Sequence, residues 1–307
     1  MKLKIEFRIF ALLSFSVLAT FAQTTKVKSN TIKADIKADV RGEGKLTTST
    51  RFDDEKALLV AEEMYNRRNY ALFIAVEEYK DDKINDLDKP VRDAENLRKI
   101  LLQNYNFNEK DVLFLKNPTR DQIVSTFDKL AKMLTAKDNL LIFYAGHGVW
   151  DATLKKGYWL PADAQREVRS QWFSNGDLRD YISGIPSKHT LLIADACFSG
   201  GIFKTRDAFA SKADASIFEM YKLPSRQAMT SGAMKTVPDE SVFIKFLAKR
   251  LAENDKPFVG GEELFASFKT AVINNSQNGQ VPQFGEIKET GDEGGDFIFV
   301  KKKTIKK

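Results

Sequence analysis

The chain carries one cysteine and two histidines, and Cys197 and His147 occupy positions that suit nucleophilic chemistry. Cys197 follows the apolar run 189–196 and opens a turn of small residues, while His147 follows the apolar run 139–145 between two glycines. A strand that ends in a Gly-rich turn presents its next side chains to a crevice at the edge of an α/β sheet. A thiol and an imidazole that meet there could serve as nucleophile and proton shuttle in acyl transfer.

Other roles compete for these residues. A free cysteine is among the most buried residue types and commonly packs as a small apolar side chain. One cysteine and two histidines cannot complete a Cys/His zinc site of the usual four-ligand kind. His189 stands at the start of a strand, roughly 26 Å before Cys197, and we interpret it as a structural or surface histidine. We therefore pair Cys197 with His147, fifty positions upstream.

Several further segments occur in a recognisable order. They are 87–94 (LDKPVRDA), 144–148 (YAGHG), 159–164 (WLPADA), 195–200 (DACFSG), 225–231 (SRQAMTS), 282–285 (PQFG) and 295–299 (GDFIF). Together they resemble the caspase-like cysteine peptidases, and they are closer to bacterial metacaspases (orthocaspases) than to animal caspases. The fifty-residue spacing between histidine and cysteine is also similar to that of caspases.

The resemblance implies a cysteine endopeptidase that uses a Cys197–His147 dyad. It also implies that the backbone N–H groups of Gly148 and Cys197 hold the oxyanion. Animal caspases cleave after Asp, whereas metacaspase-like enzymes cleave after Arg or Lys, and Asp93 and Asp195 match the acids of their S1 pocket. Asp195 precedes the nucleophile by two residues and therefore points to the same side of the strand. The alternative for Asp93 is a helix N-terminal charge that favours the helix dipole.

The chain departs from the family pattern at two places. Arg92 stands where the family usually has Asn, and Asp239-Glu-Ser241 stands where relatives often have Gly-His-Ser. Several metacaspases need Ca²⁺, but Asp151 and Asp163 form no dense acidic cluster, so the sequence does not support calcium dependence. We expect no cofactor and no metal ligands.

Alternating strand-like and helical runs predict a three-layer α/β/α sandwich with a mainly parallel central sheet, and the caspase-like fold is similar to this. Strand-like runs lie at 70–76, 111–115, 139–145, 189–195, 227–231 and 297–300. Helical runs lie near 53–68, 91–103, 119–135, 241–253 and 261–274. Thr119 and Gln122 form a predicted capping box for the third of these helices.

The N-terminal segment of the chain predicts the location of the protein. Basic residues followed by an apolar stretch predict a secretory signal at 1–22, and we expect an exported protein, periplasmic or secreted. An uncleaved anchor is the alternative, although the apolar stretch is short for a stable membrane span. We divide the remainder into a linker and lead-in helix (23–68), a peptidase domain (69–301) and a basic tail (302–307).

The expected partners are protein or peptide substrates with a basic residue before the scissile bond (P1). The net charge of +6 is partly due to the basic tail, and no nucleic-acid motif accompanies it, so no nucleic-acid partner is predicted. A catalytically silent caspase-like domain that acts in binding or assembly is the alternative function. An α/β serine hydrolase is disfavoured because no Gly-x-Ser-x-Gly elbow occurs.

Overall fold

The computed structural model describes residues 51–196, 202–203, 217–232, 241–276 and 280–303. The chain divides into two compact units, Met1–Asn66 and Arg67–Lys307. In the first unit the described element is helix α1, Arg51–Asn66, in the region where apolar spacing predicts a helix. The predicted signal at 1–22 lies outside the described residues.

All further described elements belong to the second unit. Its strands are β1 Arg68–Ala75, β2 Val112–Lys116, β3 Asp138–Ala145, β4 Gly148–Asp151, β5 Lys156–Trp159, β6 Phe173–Ser174, β7 His189–Asp195, β8 Ser225–Thr230, β9 Phe258–Gly260, β10 Gln283–Glu286 and β11 Ile298–Val300. Its α-helices are α2 Pro90–Asn104, α3 Arg120–Met133, α4 Asn175–Gly184, α5 Ile217–Lys222, α6 Val242–Glu253 and α7 Gly261–Asn275. Short 3₁₀ helices lie at Glu109–Asp111 and Arg169–Gln171.

The central sheet has six strands in the order β10-β8-β7-β3-β1-β2. β10 runs antiparallel to β8, and the other neighbouring strands are parallel. Strands β3, β7 and β8 are buried along their whole length. Continuous apolar runs such as 139–145 are typical of parallel strands because helices cover both faces of the sheet.

Alternate residues of each central strand enter two separate cores. Leu141, Phe143 and Ala145 of β3 pack with α2, α6 and α7 on what we call the α2 face. Leu140, Ile142 and Tyr144 pack with α3 and α4 on the α3 face. This two-residue alternation follows from strand geometry, and it confirms the predicted three-layer α/β/α sandwich.

Two small antiparallel sheets lie outside the central one. β4, β5 and β6 form a three-stranded sheet, and β9 pairs with β11. The strand predicted at 297–300 is therefore present but does not join the main sheet, because its partner is β9. Among the helices in the described part of the chain, none is long and apolar enough to span a membrane.

The capping box at the start of α3 is confirmed, since Thr119 accepts from the Gln122 N–H and the Gln122 side chain accepts from the Thr119 N–H. Helix α4 was not predicted. It has only ten residues with a glycine near each end, and its apolar pattern is correspondingly weak. A second capping box, between Ser174 and Asp177, begins this helix and could have revealed it.

Candidate active site

Three parallel strands end side by side just before the predicted catalytic positions. The register pairs Ala75 of β1 with Ala145 of β3, and Ala145 with Asp195 of β7. His147 comes two residues after Ala145, and position 197 comes two residues after Asp195. Cys197 itself lies outside the described residues. Both predicted catalytic positions therefore come two residues after strand ends that are neighbours in the sheet.

The imidazole of His147 is held from two sides. Its Nε2 lies 2.8 Å from the carbonyl oxygen of Asn85. Because a carbonyl oxygen can only accept, Nε2 must carry the proton in this contact, and Nδ1 is the nitrogen left to accept another. The ring also lies against Tyr79, with ring centres 5.0 Å apart and planes tilted by 39°. These contacts set both the orientation and the tautomer of the imidazole.

Two tyrosines hold the backbone of His147. Its N–H donates to the Tyr79 hydroxyl over 2.9 Å, and its carbonyl oxygen accepts from the Tyr144 hydroxyl over 2.7 Å. Burial raises the pKa of Tyr79, so its hydroxyl stays neutral and can both accept and donate. The roles of these two tyrosines were not predicted, although Tyr144 begins the segment 144–148 and Tyr79 follows the end of β1 at the same sheet edge.

Gly146, the residue before His147, has no room for a side chain. Its φ is 156°, and a Cβ placed there would lie 2.9 Å from the Tyr144 hydroxyl and 3.2 Å from the Tyr79 hydroxyl. Both hydroxyls are the groups that bond the His147 backbone. A larger residue at position 146 would therefore displace the contacts that position the imidazole.

The loop between β1 and α2 (residues 76–89) supplies Tyr79 and the Asn85 carbonyl. The Tyr79 N–H donates to the Asp86 carboxylate over 2.8 Å, and the Glu77 N–H donates to the Asn117 side chain over 2.8 Å. The Lys80 N–H donates to the carbonyl of Ala162 over 2.9 Å. Hydrogen bonds within the loop and to two other segments hold it in place, so it can act as a fixed support for His147.

Asp195 is a buried acid, only 5% exposed at the end of β7. Burial raises the pKa of its carboxyl to about 6, the hydroxyls of Ser241 and Ser231 lower it, and the negative charge of Asp93 raises it. Within the described structure its Oδ1 has no hydrogen-bond partner. A buried carboxylate without a compensating cation is unfavourable, so a positively charged ligand would be stabilised here.

Asp93 lies in the first turn of α2, where it also satisfies the alternative interpretation as a helix N-terminal charge. Its effect on the pKa of Asp195 means that the structure brings the two predicted pocket acids together. Arg92 Nη2 lies 3.3 Å from Asp93 Oδ1, and the Arg92 side chain is largely exposed. The departure from the family pattern at position 92 thus places a cation on one of the two acids.

The buried hydroxyl of Ser231 lies close to Asp195 at the same sheet edge. Thr230 pairs in register with Ala194, and the Ser231 N–H donates to the carbonyl of Ala194 over 3.1 Å. Thr230 shares the side of the sheet with Ala194, whereas Ser231 shares the side of Asp195 and lowers the pKa of its carboxyl. The carboxylate of Asp195 and the hydroxyl of Ser231 could therefore both accept from a ligand with N–H donors.

Gly148 and His189 complete the set of predicted residues. Gly148 begins β4 directly after His147, where it is half-buried and pairs with Trp159. The other predicted oxyanion donor is the backbone N–H of Cys197.

His189 is fully buried, with Nδ1 2.9 Å from Ser225 Oγ and Nε2 3.1 Å from a backbone carbonyl oxygen. Burial lowers its pKa to about 3. His189 is therefore a structural residue, and the surface alternative is wrong.

No trio of His, Cys, Asp or Glu side chains in the described ranges is arranged to hold a metal ion. The described site consists of His147 with its supports and, at the end of the neighbouring strand, the buried acid Asp195 with Asp93 near it. Such a site can bind a cation and can accept a proton at the imidazole. Each of these features lies at the carboxyl edge of a parallel sheet, which is the usual location of sites in α/β folds.

Comparison with known proteins places this arrangement in a family. Among solved structures, the fold is similar to caspase-1 from Spodoptera frugiperda, with a TM-score of 0.52, 16% identity and coverage of 73% of this chain and 90% of that one. A protein from Geobacter sulfurreducens is also similar, with a TM-score of 0.50, 18% identity and coverage of 71% and 92%. At these identities the likeness shows the fold alone.

A search of curated proteins found no match. The family assignment rests on residues 68–290, which match the caspase domain family. This segment includes the central sheet, His147 and both pocket acids, and it makes up more than two thirds of the chain. The chain therefore belongs to the caspase domain family, a family of cysteine peptidases.

Proposed function

We propose that the protein is an endopeptidase that uses Cys197 as nucleophile and His147 as proton shuttle. The observation that carries the proposal is the Nε2 contact of His147 with the Asn85 carbonyl, next to strand ends in register. This contact leaves Nδ1 as the nitrogen that could accept the thiol proton. An ordinary surface histidine has no need of the tyrosine and carbonyl contacts that hold His147 in one orientation.

The reaction begins when the Cys197 thiol transfers its proton to Nδ1 of His147. The thiolate attacks the carbonyl carbon of the scissile bond, and the oxyanion accepts from the backbone N–H groups of Gly148 and Cys197. The C–N bond then breaks, and the leaving amine takes the proton from the imidazolium. Water hydrolyses the thioester, and the imidazole acts as base in that step.

We further propose that the enzyme cleaves after Arg or Lys. The buried carboxyl of Asp195, its neighbour Asp93 and the nearby hydroxyl of Ser231 support this specificity. A guanidinium group offers five N–H donors and one positive charge, which suits a pocket with several acceptors and an uncompensated acid. An aspartate at P1 would instead be repelled by both acids.

Cleavage of a peptide with Arg at P1 by the purified protein is the direct test. Cys197→Ala and His147→Ala should each remove the activity, and a peptide with Asp at P1 should not be cleaved. Asp195→Asn should raise KM for the Arg peptide more than it lowers kcat, because the residue binds substrate and is remote from the bond that breaks. Full activity in Cys197→Ala would refute the proposed nucleophile.

A catalytically silent caspase-like domain is the alternative function, and the two can be separated without knowing a substrate. A thiol beside a positioned imidazole reacts faster than an isolated exposed cysteine, because the thiolate is the reactive form. Iodoacetamide should therefore label Cys197 more slowly in His147→Ala than in the wild type. Equal labelling rates would favour the silent domain.

We also propose that the protein is exported and works outside the cytoplasm. Its support is the predicted signal at 1–22, in which basic residues precede an apolar stretch. Fractionation of the producing cells, with N-terminal sequencing of the recovered protein, tests this location. Recovery of an unprocessed chain from the cytoplasm would contradict it.

A further inference from the structure

Trp150 is an exposed aromatic residue close to the candidate site. It lies on β4, three residues after His147, and 40% of its side-chain surface is exposed. It is the one aromatic among the large apolar side chains that are exposed in the described ranges. Tryptophan is usually well covered because its large ring gains much from burial, so an exposed one near a catalytic residue suggests a contact surface.

The hairpin itself does not cover the indole. Trp150 pairs in register with Gly157 of β5, which has no side chain to pack against the ring. Within the described ranges, the indole makes no hydrogen bond and no contact with another aromatic ring. The exposed part of the indole could therefore contact a ligand.

The location of Trp150 relative to the acidic pocket follows from the two faces of the central sheet. Asp195 alternates with Leu192 and Ala194, which enter the α3-face core, so its side chain points to the α2 face. Ser241 and Asp93, at the starts of α6 and α2, also lie on that face. The P1 pocket therefore opens on the α2 side of the strand ends.

The hairpin of β4 and β5 lies on the opposite side. Trp159 of β5 stacks on Tyr144 at 4.1 Å between ring centres, within the α3-face core. Val149 of β4 packs against a small cluster that includes Tyr158. A peptide whose P1 side chain enters the pocket on the α2 side would extend past His147 toward this hairpin after the scissile bond.

We infer that Trp150 forms part of a subsite for an apolar residue on the leaving side of the substrate, at P1′ or P2′. The inference rests on the proposed peptidase function. Three residues of strand span about 10 Å, so the indole is within reach of the side chains of the first two residues beyond a scissile bond held at His147. The indole would pack against an aliphatic or aromatic side chain there and add to kcat/KM without a role in the chemical step.

Paired substrates separate this role from a general effect on activity. Two internally quenched peptides with Arg at P1 carry Leu-Leu or Ala-Ala at P1′ and P2′, and a third reporter is an arginine methyl ester, which places neither a residue nor an aromatic ring after P1. For the wild type we expect kcat/KM to be about tenfold higher for the Leu-Leu peptide than for the Ala-Ala peptide. Trp150→Ala should reduce this ratio to below about twofold and leave the rate on the methyl ester unchanged.

Two further variants guard against a merely structural effect. Trp150→Phe retains an aromatic ring and should keep most of the Leu preference. Leu154→Ala removes another exposed apolar side chain, in the turn of the same hairpin, and should not change the ratio.

The outcomes distinguish the subsite from the function on which it depends. Equal rates of the wild type on the two peptides would overturn the subsite while the peptidase function stands. A parallel loss of activity of Trp150→Ala on all three reporters, with no rescue by Trp150→Phe, would do the same. Failure of the wild type to cleave any reporter would reject the peptidase function and the subsite with it.

Discussion

At the scale of single residues, Asp195 is a buried acid whose ionised form would favour a cation over an anion beside it. Its carboxyl is buried, and burial raises its pKa to about 6. A cationic side chain would offset the cost of ionising this group, whereas an anionic one would increase it. We therefore expect the charge state of this one residue to make the binding of a cationic ligand depend on pH.

We expect a guanidinium compound to bind more tightly as the pH rises through about 6, because Asp195 ionises in that range. Calorimetric titration of Cys197→Ala with agmatine between pH 4.5 and pH 8 tests this without interference from the thiol. Affinity should increase by up to tenfold per pH unit below the pKa and level off above it. The double variant Cys197→Ala, Asp195→Asn should bind agmatine weakly at every pH. An affinity that does not change with pH in Cys197→Ala, which retains Asp195, would contradict the prediction.

Arg92 should weaken the preference for basic substrates, because it lies 3.3 Å from the Asp93 carboxylate and brings a like charge to the cationic P1 residue. Arg92→Asn should lower KM for an Arg peptide about two- to fivefold, since exposed ion pairs contribute at most about 1 kcal/mol. Arg92→Lys retains the charge and is the matched control. A rise in KM in Arg92→Asn would indicate that Arg92 instead supports the pocket.

At the scale of elements, the end of β8 and the segment before β10 approach closely. Gly232 has a φ of 67°, and a Cβ placed there would lie 1.7 Å from the backbone oxygen of Val281. A backbone atom cannot move aside as a flexible side chain can. The two segments flank the end of the sheet near Ser231, so their spacing also shapes the pocket edge.

Gly232→Ala should therefore lower the free energy of unfolding by about 2 kcal/mol or more, through backbone strain and the clash with Val281. Gly184→Ala is the matched control, because a Cβ at Gly184 meets nothing within 4 Å. The control should leave stability unchanged or raise it by up to about 1 kcal/mol. Urea unfolding of both variants measures the difference, and equal stabilities would contradict the prediction.

At the scale of the whole molecule, buried titratable groups make stability depend on pH in opposite directions. Burial raises the pKa of Asp296 to about 7, and the negative charge of Glu262 contributes. An acid with a raised pKa binds its proton more tightly in the folded state than in the unfolded state. Its contribution to the free energy of unfolding therefore falls as pH rises from about 4 to about 7. His189, whose pKa burial lowers to about 3, contributes stability that rises with pH up to about 6.5.

Asp296→Asn isolates the contribution of Asp296 to the pH dependence of stability. Asparagine can still accept from the Glu262 N–H, as Asp296 Oδ2 does over 3.2 Å, but it cannot ionise. Relative to the wild type, the variant should gain stability between pH 4 and pH 7, by roughly 2–4 kcal/mol above pH 7. Urea unfolding at pH 5 and pH 8 checks this, and an equal difference at both pH values would refute it.

Part of this organisation could be predicted because it is local in the chain. Apolar runs such as 139–145 and 189–195 identify buried parallel strands, and the capping box at Thr119 identifies the start of α3, because each depends on residues a few positions apart. The glycines around His147 indicate a strand end that leads into a turn. These local patterns, together with the ordered motifs, were enough to predict the three-layer sandwich and the family.

What only the tertiary structure decided is which distant segments meet. The Asn85 carbonyl and the Tyr79 ring reach His147 across more than sixty residues of sequence. Strand order, the pairing of β11 with β9, and the exposed position of Trp150 likewise depend on contacts that no periodic pattern records. Sequence alone determined which residues could do chemistry, whereas packing and hydrogen bonds between remote segments decided how His147 is oriented and why Asp195 holds a raised pKa.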